Sequence, residues 1–355
     1  MTSTHRLPSP TSPTSAPTAP PAAGSARQAT GTSGLRRGLR ALAIASCLPY
    51  LTLKTAWLAG SHVGIPEGSE LRTPDGETTL FALNLLTVLM DAAVIVLAVA
   101  LTRPWGRRLP AWLVLGPLWA ATGLLAPILV GFPTSVLAEA TSSGSAVSEQ
   151  HELYLDDWVF TVVYSGFSVQ ALALGGLFAL AVRDRWGHLL RGRLAGLPRD
   201  ASRSTAGAAV ASLVLLLWPL TMNLLWLGGS TAGLNGTQIE NRDTTYYVTT
   251  ASDLLFVLAA GAGVLLLAFR PARFARLRTA TSVGLAWVGS AALGAWGGWL
   301  LLTSGANFGS AEADERTTAL TAVTYAVQVL IGLLTVVVGA RLLTARDAAS
   351  AHRAA

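Results

Sequence analysis

Eight apolar runs, each about the 20 residues a helix needs to cross roughly 30 Å of hydrocarbon, recur near residues 39–60, 79–102, 109–131, 158–182, 206–228, 249–269, 280–303 and 318–340. Charged residues make up only 12% of the chain, against roughly 25% in soluble domains. The pattern predicts an all-α, polytopic membrane bundle of eight transmembrane helices.

The bundle is written twice. At an offset of 169, Trp57-Leu58-Ala59-Gly60-Ser61 falls on Trp226-Leu227-Gly228-Gly229-Ser230, and Asn84-Leu85-Leu86 on Asp253-Leu254-Leu255. At 168, Gly116, Trp119, Thr122 and Leu125 fall on Gly284, Trp287, Ser290 and Leu293; at 158, Val169-Gln170 falls on Val327-Gln328. Four spans per half predict a tandem 4+4 repeat. Because four is even, both halves enter from the same side, and the repeat is of the parallel kind, with its axis along the membrane normal. The expected divisions are a Pro/Ser/Thr/Ala-rich tail without structure over 1–38, a first four-helix repeat over 39–182 and a basic linker over 183–205. A second repeat over 206–341 and a C-terminal tail over 342–355 complete the chain.

Charge sets the expected orientation. Segments 1–40, 103–108, 183–205, 270–278 and 341–355 hold 21 of the 25 Lys+Arg and three acids, whereas the alternate loops hold Arg72, Arg242 and Arg316 with fourteen acids. The positive-inside rule then places both termini in the cytoplasm. The net charge of +6 is spread over five inner segments, so it calls for no nucleic-acid partner. Cys47 is the only cysteine and the His residues show no zinc spacing, so neither an intrachain disulfide nor a zinc site is expected. No cofactor is implied. The first apolar run is expected to remain as a helix rather than to be cleaved as a signal peptide. Arginine outnumbers lysine 24 to 1, which fits a GC-rich bacterium such as an actinobacterium and hence a bacterial cell membrane.

Polar residues at membrane depth are the candidates for function. Lys54, the only lysine, lies in the first span with Asn84 at matching depth in the second; the second half places Asn223 and Asp253 there. Lys54 and Asp253 either pair across the axis or reach the surface separately. Asp91 lies near the midplane, with Ala260 at its repeat position, and Gln170 and Gln328 come to about the same depth. These groups serve either as hydrogen-bonding links between helices, worth about 0.6 kcal/mol each, or as a polar centre around one carboxylic acid that desolvation keeps neutral. Trp119, Trp218 and Trp287 lie inside spans and are expected in the bundle interior. Pro49 and Pro219 are expected to kink spans one and five, and Ala286, Ser290, Gly294 and Gly298 form a small-residue ridge. Glu70-Leu71-Arg72 and Glu240-Asn241-Arg242 suggest an ion pair bracing each outer loop. The acidic run from Glu149 to Asp157 reads as a solvated rim, with divalent-cation binding as its alternative.

The stretch Lys54-Thr55-Ala56-Trp57-Leu58-Ala59-Gly60, with the twinned halves, resembles a group of actinobacterial multi-pass proteins of no assigned activity. In residue type, buried acids among many aromatics are similar to the integral-membrane terpene cyclases, which protonate an alkene or epoxide of a prenylated substrate and typically have seven spans. That likeness implies a metal-independent, proton-initiated cyclase of a lipophilic small molecule. Asp91 would be the acid, Asp253 a second acid or terminal base, and Lys54 would complete the catalytic set. Trp57, Trp119, Trp226, Trp287, Asn84, Asn223, Gln170 and Gln328 would line the substrate. Two alternatives stand beside it: a proton-coupled transporter using Asp91 as its coupling site, and a non-catalytic membrane assembly protein.

Overall fold

The computed structural model describes residues 23–67, 69, 72, 74–141, 155–197, 202–306 and 316–352. Among them the chain is helical, with no strand beyond one isolated bridge between Arg193 and Arg278. The long helices are α1 (Ala23–Leu58), α2 (Pro74–Thr102), α3 (Ala111–Thr141), α4 (Asp157–Leu190) and α5 (Arg203–Leu227). Helix α6 (Thr244–Val264) ends in a π-helical turn, Leu265–Phe269. Helix α7 is interrupted in the same way: Thr279–Ala291, a π-helical segment Ala292–Trp296, then Gly297–Ala306. Helix α8 covers Ala319–His352. All eight contain a stretch long and apolar enough to span a membrane.

Several helices overrun the apolar runs on the arginine-bearing side. Residues 23–38, expected in an unstructured tail, belong to α1, while the rest of that tail lies outside the described residues. The expected linker begins as the last turns of α4, and α8 continues through most of the expected C-terminal tail. Hydropathy marks where lipid lies, not where a helix stops. Ala, Arg and Leu favour helix beyond the hydrocarbon, and here arginines pin the extra turns. Arg36 pairs with Asp184 across α1 and α4, Arg341 donates to Ser204 Oγ at 2.8 Å, and Arg346 donates to the Arg191 carbonyl. After α4 the linker runs along the α6–α7 turn, with Leu194 N–H donating to Leu277 O at 3.0 Å and Thr279 N–H to Gly192 O at 3.1 Å. Leu194 and Leu197 are thereby buried against Leu267, Val338 and Leu342.

Each half packs its first helix against its second and fourth: α1 on α2 and α4, α5 on α6 and α8. The outer loops after α1 and α5 are also built alike. Trp57 Nε1 donates to Val63 O at 2.8 Å and Trp226 Nε1 to Ala232 O at 2.9 Å. Gly64 (φ +75°) and Gly233 (φ +80°) hold left-handed turns pressed onto Val159 and Leu320, where a side chain would both strain the backbone and collide.

The halves meet where α3 lies on α6 and α7. Two hydrogen bonds cross there in opposite senses: Trp119 Nε1 of α3 donates to Ser290 Oγ of α7 at 3.1 Å, and Trp287 Nε1 of α7 donates to Thr122 Oγ1 of α3 at 3.2 Å. Between them Gly123 sits so close to the Ala291 carbonyl that no Cβ fits. Of the small-residue ridge, Ala286 meets Gly263, Ser290 takes the Trp119 bond, and Gly294 receives the Trp119 ring and faces Gly332. Gly298 is looser, its nearest neighbour for a Cβ being Val329 at 3.7 Å.

One seam differs sharply between the halves. Helices α6 and α7 are closely packed, with Gly289 against the backbone of Ala260 and Gly263 against Ala286, whereas α2 and α3 barely touch. The residues at the same sequence offsets explain it: Gly263 corresponds to Val94, Ala286 to Leu118, Gly289 to Ala121 and Ala260 to Asp91. Every small residue of the closed seam is replaced by a larger one, so α2 and α3 stand apart. Pro49 and Pro219 both lie within continuous helices, and the opening falls at this seam.

Overpacking a tight contact costs about 1–3 kcal/mol. Gly123→Leu should therefore lower the thermal unfolding midpoint of the detergent-purified protein, whereas Gly116→Leu, with nothing within 4 Å of its Cβ, should leave it within error.

Candidate functional site

Where α2 and α3 separate, a cavity of about 390 Å³ opens among α1, α2, α3 and α4, closed on one side by Trp296 and Trp299 of α7. Ala93 of α2 and Pro117 of α3 both line it and are exposed, so its mouth lies along the α2–α3 seam, on the side of the bundle. Most of the wall is aromatic or aliphatic. Tyr50 packs edge-on against Phe167 with centroids 4.9 Å apart, and Tyr164 stacks on Phe132 at 5.7 Å.

Lys54 and Asp91, with Thr87 and Gln170, interrupt this wall. Lys54 is 9% exposed; its Nζ donates to Asn84 Oδ1 at 2.6 Å and lies over the Tyr50 ring at 4.9 Å and the Trp57 ring at 4.6 Å. Asp91 is 4% exposed and its Oδ1 accepts from Gln170 Nε2 at 3.4 Å. Asp91 Oδ2 and Gln170 Oε1 are buried without a hydrogen-bond partner. An unsatisfied buried acceptor costs about 1–3 kcal/mol, so the pair marks a place where a ligand donor, or the acid's own proton, has work to do.

The predicted residues thus divide into three groups. Lys54, Asp91, Trp57 and Gln170 share the cavity wall, and Asn84 stands directly behind Lys54. Trp119 and Trp287 fasten the two halves together and do not line this cavity. Asp253, Asn223, Gln328 and Trp226 belong to the second half and lie outside it. Asp253 lies on α6, and Asn223 Nδ2 donates to Pro219 O at 2.8 Å. Gln328 packs against Gly297, and Trp226 is buried with Met222 and Leu234.

The pair of Lys54 with Asp253 across the axis does not form. Helix α2 packs directly on α1 and supplies Asn84 as the acceptor, whereas α3 stands at the boundary between Lys54's half and α6. The expected Glu240–Arg242 ion pair is also replaced. Arg242 donates to the carbonyls of Gly229 and Trp226 at 2.8 and 2.9 Å, the last of which lies at the end of α5, where helix carbonyls lack intrahelical partners. Arg72 likewise donates to the Ile65 carbonyl, while Glu70 lies outside the described residues. So do Glu149 to Glu152 of the acidic run; among the described residues no group of three or more His, Cys, Asp or Glu is placed to hold a metal ion.

Sequence reasoning missed Tyr50, Phe160 and Phe167. Their signal was present: Tyr50 is one helical turn before Lys54, and Phe160, Tyr164 and Phe167 follow the i, i+4, i+7 spacing of one helix face. The chain matches no family model, and neither a curated protein nor a solved structure is detectably similar to it.

Removing the acceptor of a buried ammonium should cost about 1–3 kcal/mol. Asn84→Leu is expected to lower the unfolding midpoint more than the double change Lys54→Met with Asn84→Leu, because the double variant leaves no orphaned charge. Equal losses would place Lys54 in solvent rather than in the wall.

Proposed function

We propose that this chain is a bacterial membrane enzyme that draws one lipophilic small molecule from the bilayer into the first-half cavity and cyclises an isoprenoid chain by protonating it from Asp91. The observation that carries this reading is Asp91 Oδ2, buried without a partner in the wall of an aromatic cavity whose mouth faces the side of the bundle. Its volume falls within the roughly 300–1,000 Å³ of small-molecule pockets.

The chemistry balances with one acid. The Asp91 proton adds to one carbon of an alkene, whose π electrons form the new C–H bond and leave a cation on the neighbouring carbon. A second alkene of the same chain supplies its π pair to that cation, forming the ring C–C bond. Loss of a proton from the resulting cation to the Asp91 carboxylate regenerates both an alkene and the acid. The sum is an isomerisation that consumes neither oxidant nor reductant, so a distant Asp253 is not needed as terminal base. Tyr164, Phe160, Phe167 and Trp296 offer ring faces to the travelling cation. Lys54 holds a fixed positive charge beside Tyr50 and Trp57, which repels the cation from that end, and its remaining N–H groups suit an oxygen on the substrate.

A carrier needs a path open in turn to each face of the membrane. The cavity instead lies among α1–α4 and is closed by Trp296 and Trp299 of α7, while the boundary between the halves is occupied by the Trp119 and Trp287 bonds and the Gly123–Ala291 contact. This favours the enzyme. The same crossed contacts support a tandem duplication about an axis along the membrane normal, since residues related by the 168 offset exchange bonds. The arginine distribution supports cytoplasmic termini.

A general acid contributes about 10²–10⁴-fold. In membranes supplied with a geranylgeranylated phenol and analysed by mass spectrometry, Asp91→Asn should lose cyclisation by that factor and Asp253→Asn should stay within a few fold of wild type. A folded Asp91→Asn protein that still cyclises at the normal rate overturns the assignment.

A further inference from the structure

A second cleft, of about 290 Å³, lies at the arginine-bearing end of the first half, between α1, α4 and the turn Pro104–Arg108 that follows α2. Residues 33–40, 102–109 and 183–186 bring eight arginines to this end against one carboxylate, Asp184. Three of these charges are already committed. Arg36 pairs with Asp184, Arg40 donates to Thr102 Oγ1 at 3.3 Å, and Arg185 donates to the Leu109 carbonyl at 2.7 Å with its guanidinium 4.7 Å from the Trp186 ring.

Arg107 is different. It lines the cleft, is exposed, and has no hydrogen-bond or ion-pair partner among the described residues. Its position is fixed by Gly106, which lies so close to the Ala100 carbonyl that no Cβ fits. With Arg36 and Asp184 cancelling, the cleft keeps the two positive charges of Arg107 and Arg185. Below them the wall is apolar, formed by Leu101, Val114 and Ala181.

We infer that this cleft holds the phosphate of an anionic phospholipid. Guanidinium groups at headgroup level match a phosphodiester, and the apolar wall continues the path of an acyl chain, which a free phosphate would leave uncovered. In the second half the offset of 158 carries Asp184 onto Leu342, which is buried in one apolar cluster with Leu194 and Leu197 of the linker.

The full chain in phosphatidylcholine nanodiscs doped with phosphatidylglycerol provides the test, with retained lipid counted by native mass spectrometry. Wild type should retain phosphatidylglycerol in preference to phosphatidylcholine, and Arg107→Gln should weaken that retention about fivefold, as expected for one lost arginine near the surface. Arg276→Gln, an exposed arginine on the same face of the second half, should retain it as wild type does. Equal loss in both variants would mean diffuse charge and no site. Equal retention of phosphatidylcholine, or displacement of the lipid by inorganic phosphate, would also overturn the inference. Because Arg107 has no partner among the described residues, a lowered unfolding midpoint in Arg107→Gln would likewise contradict the uncommitted guanidinium on which it stands.

Discussion

The crossing of α3 and α7 at Gly123 and Ala291 determines the rest of the architecture. In lipid two helices gain nothing from hiding apolar surface, so they associate through close backbone packing and polar contacts. Here both act at one place: a glycine admits the opposing carbonyl, and two tryptophans each reach a hydroxyl on the other helix. Gly294 leaves room for the Trp119 ring to do so. A helix held this closely to the second half cannot also lie tightly on α2, because Asp91 and Val94 of α2 and Leu118 of α3 itself are larger than their counterparts. The cavity follows from that competition between two contacts for one helix.

The open seam also decides where an acid could be placed. In the second half the position of Asp91 is Ala260, whose backbone is in contact with Gly289. A carboxylate there would have to separate α6 from α7. The same reasoning applies one turn further out: Lys54 has space beside Tyr50 and Trp57 and an acceptor in Asn84, whereas Asn223 turns back onto the carbonyl of Pro219 in its own helix. Lys54 and Asp91 therefore stand in the first half, at the seam where packing leaves room for a long or charged side chain.

Much of the scaffold was legible because it rests on properties each residue carries by itself. Apolar run length located all eight spans, and the tryptophans placed inside spans three and seven do sit within the bundle, whereas Trp218 of span five, expected there too, is 38% exposed and reaches inward through its Nε1 donating to Thr324 Oγ1. Pair identities were harder. Depth along a helix put Lys54 level with both Asn84 and Asp253, but the angle around the helix, set by packing, decided for the neighbour on α2. The aromatic wall was half seen for the same reason: Trp57 stands out by type, while Tyr50 and Phe167 gain meaning only once α1 and α4 are known to lie together. Helix ends on the arginine side were read too short, since hydropathy cannot see turns held by Arg36, Arg341 and Arg346.

The two clefts of the first half share a physical origin. Each lies where the second half has spent small or aliphatic residues on closure: Gly263 and Gly289 at membrane depth, Leu194 and Leu197 at the arginine-bearing end. If the halves arose by duplication, the second copy kept helix contact and the first traded it for space. That trade is tolerable because the closed half supplies a fixed surface against which α3 is held. Loosening α6 from α7 should then disturb the cavity without touching any residue that lines it, since Ala260 and Gly289 position the helix pair on which α3 rests. The dependence runs one way: widening the first-half seam removes little contact from the second half, because α2 shares so little surface with α3 to begin with.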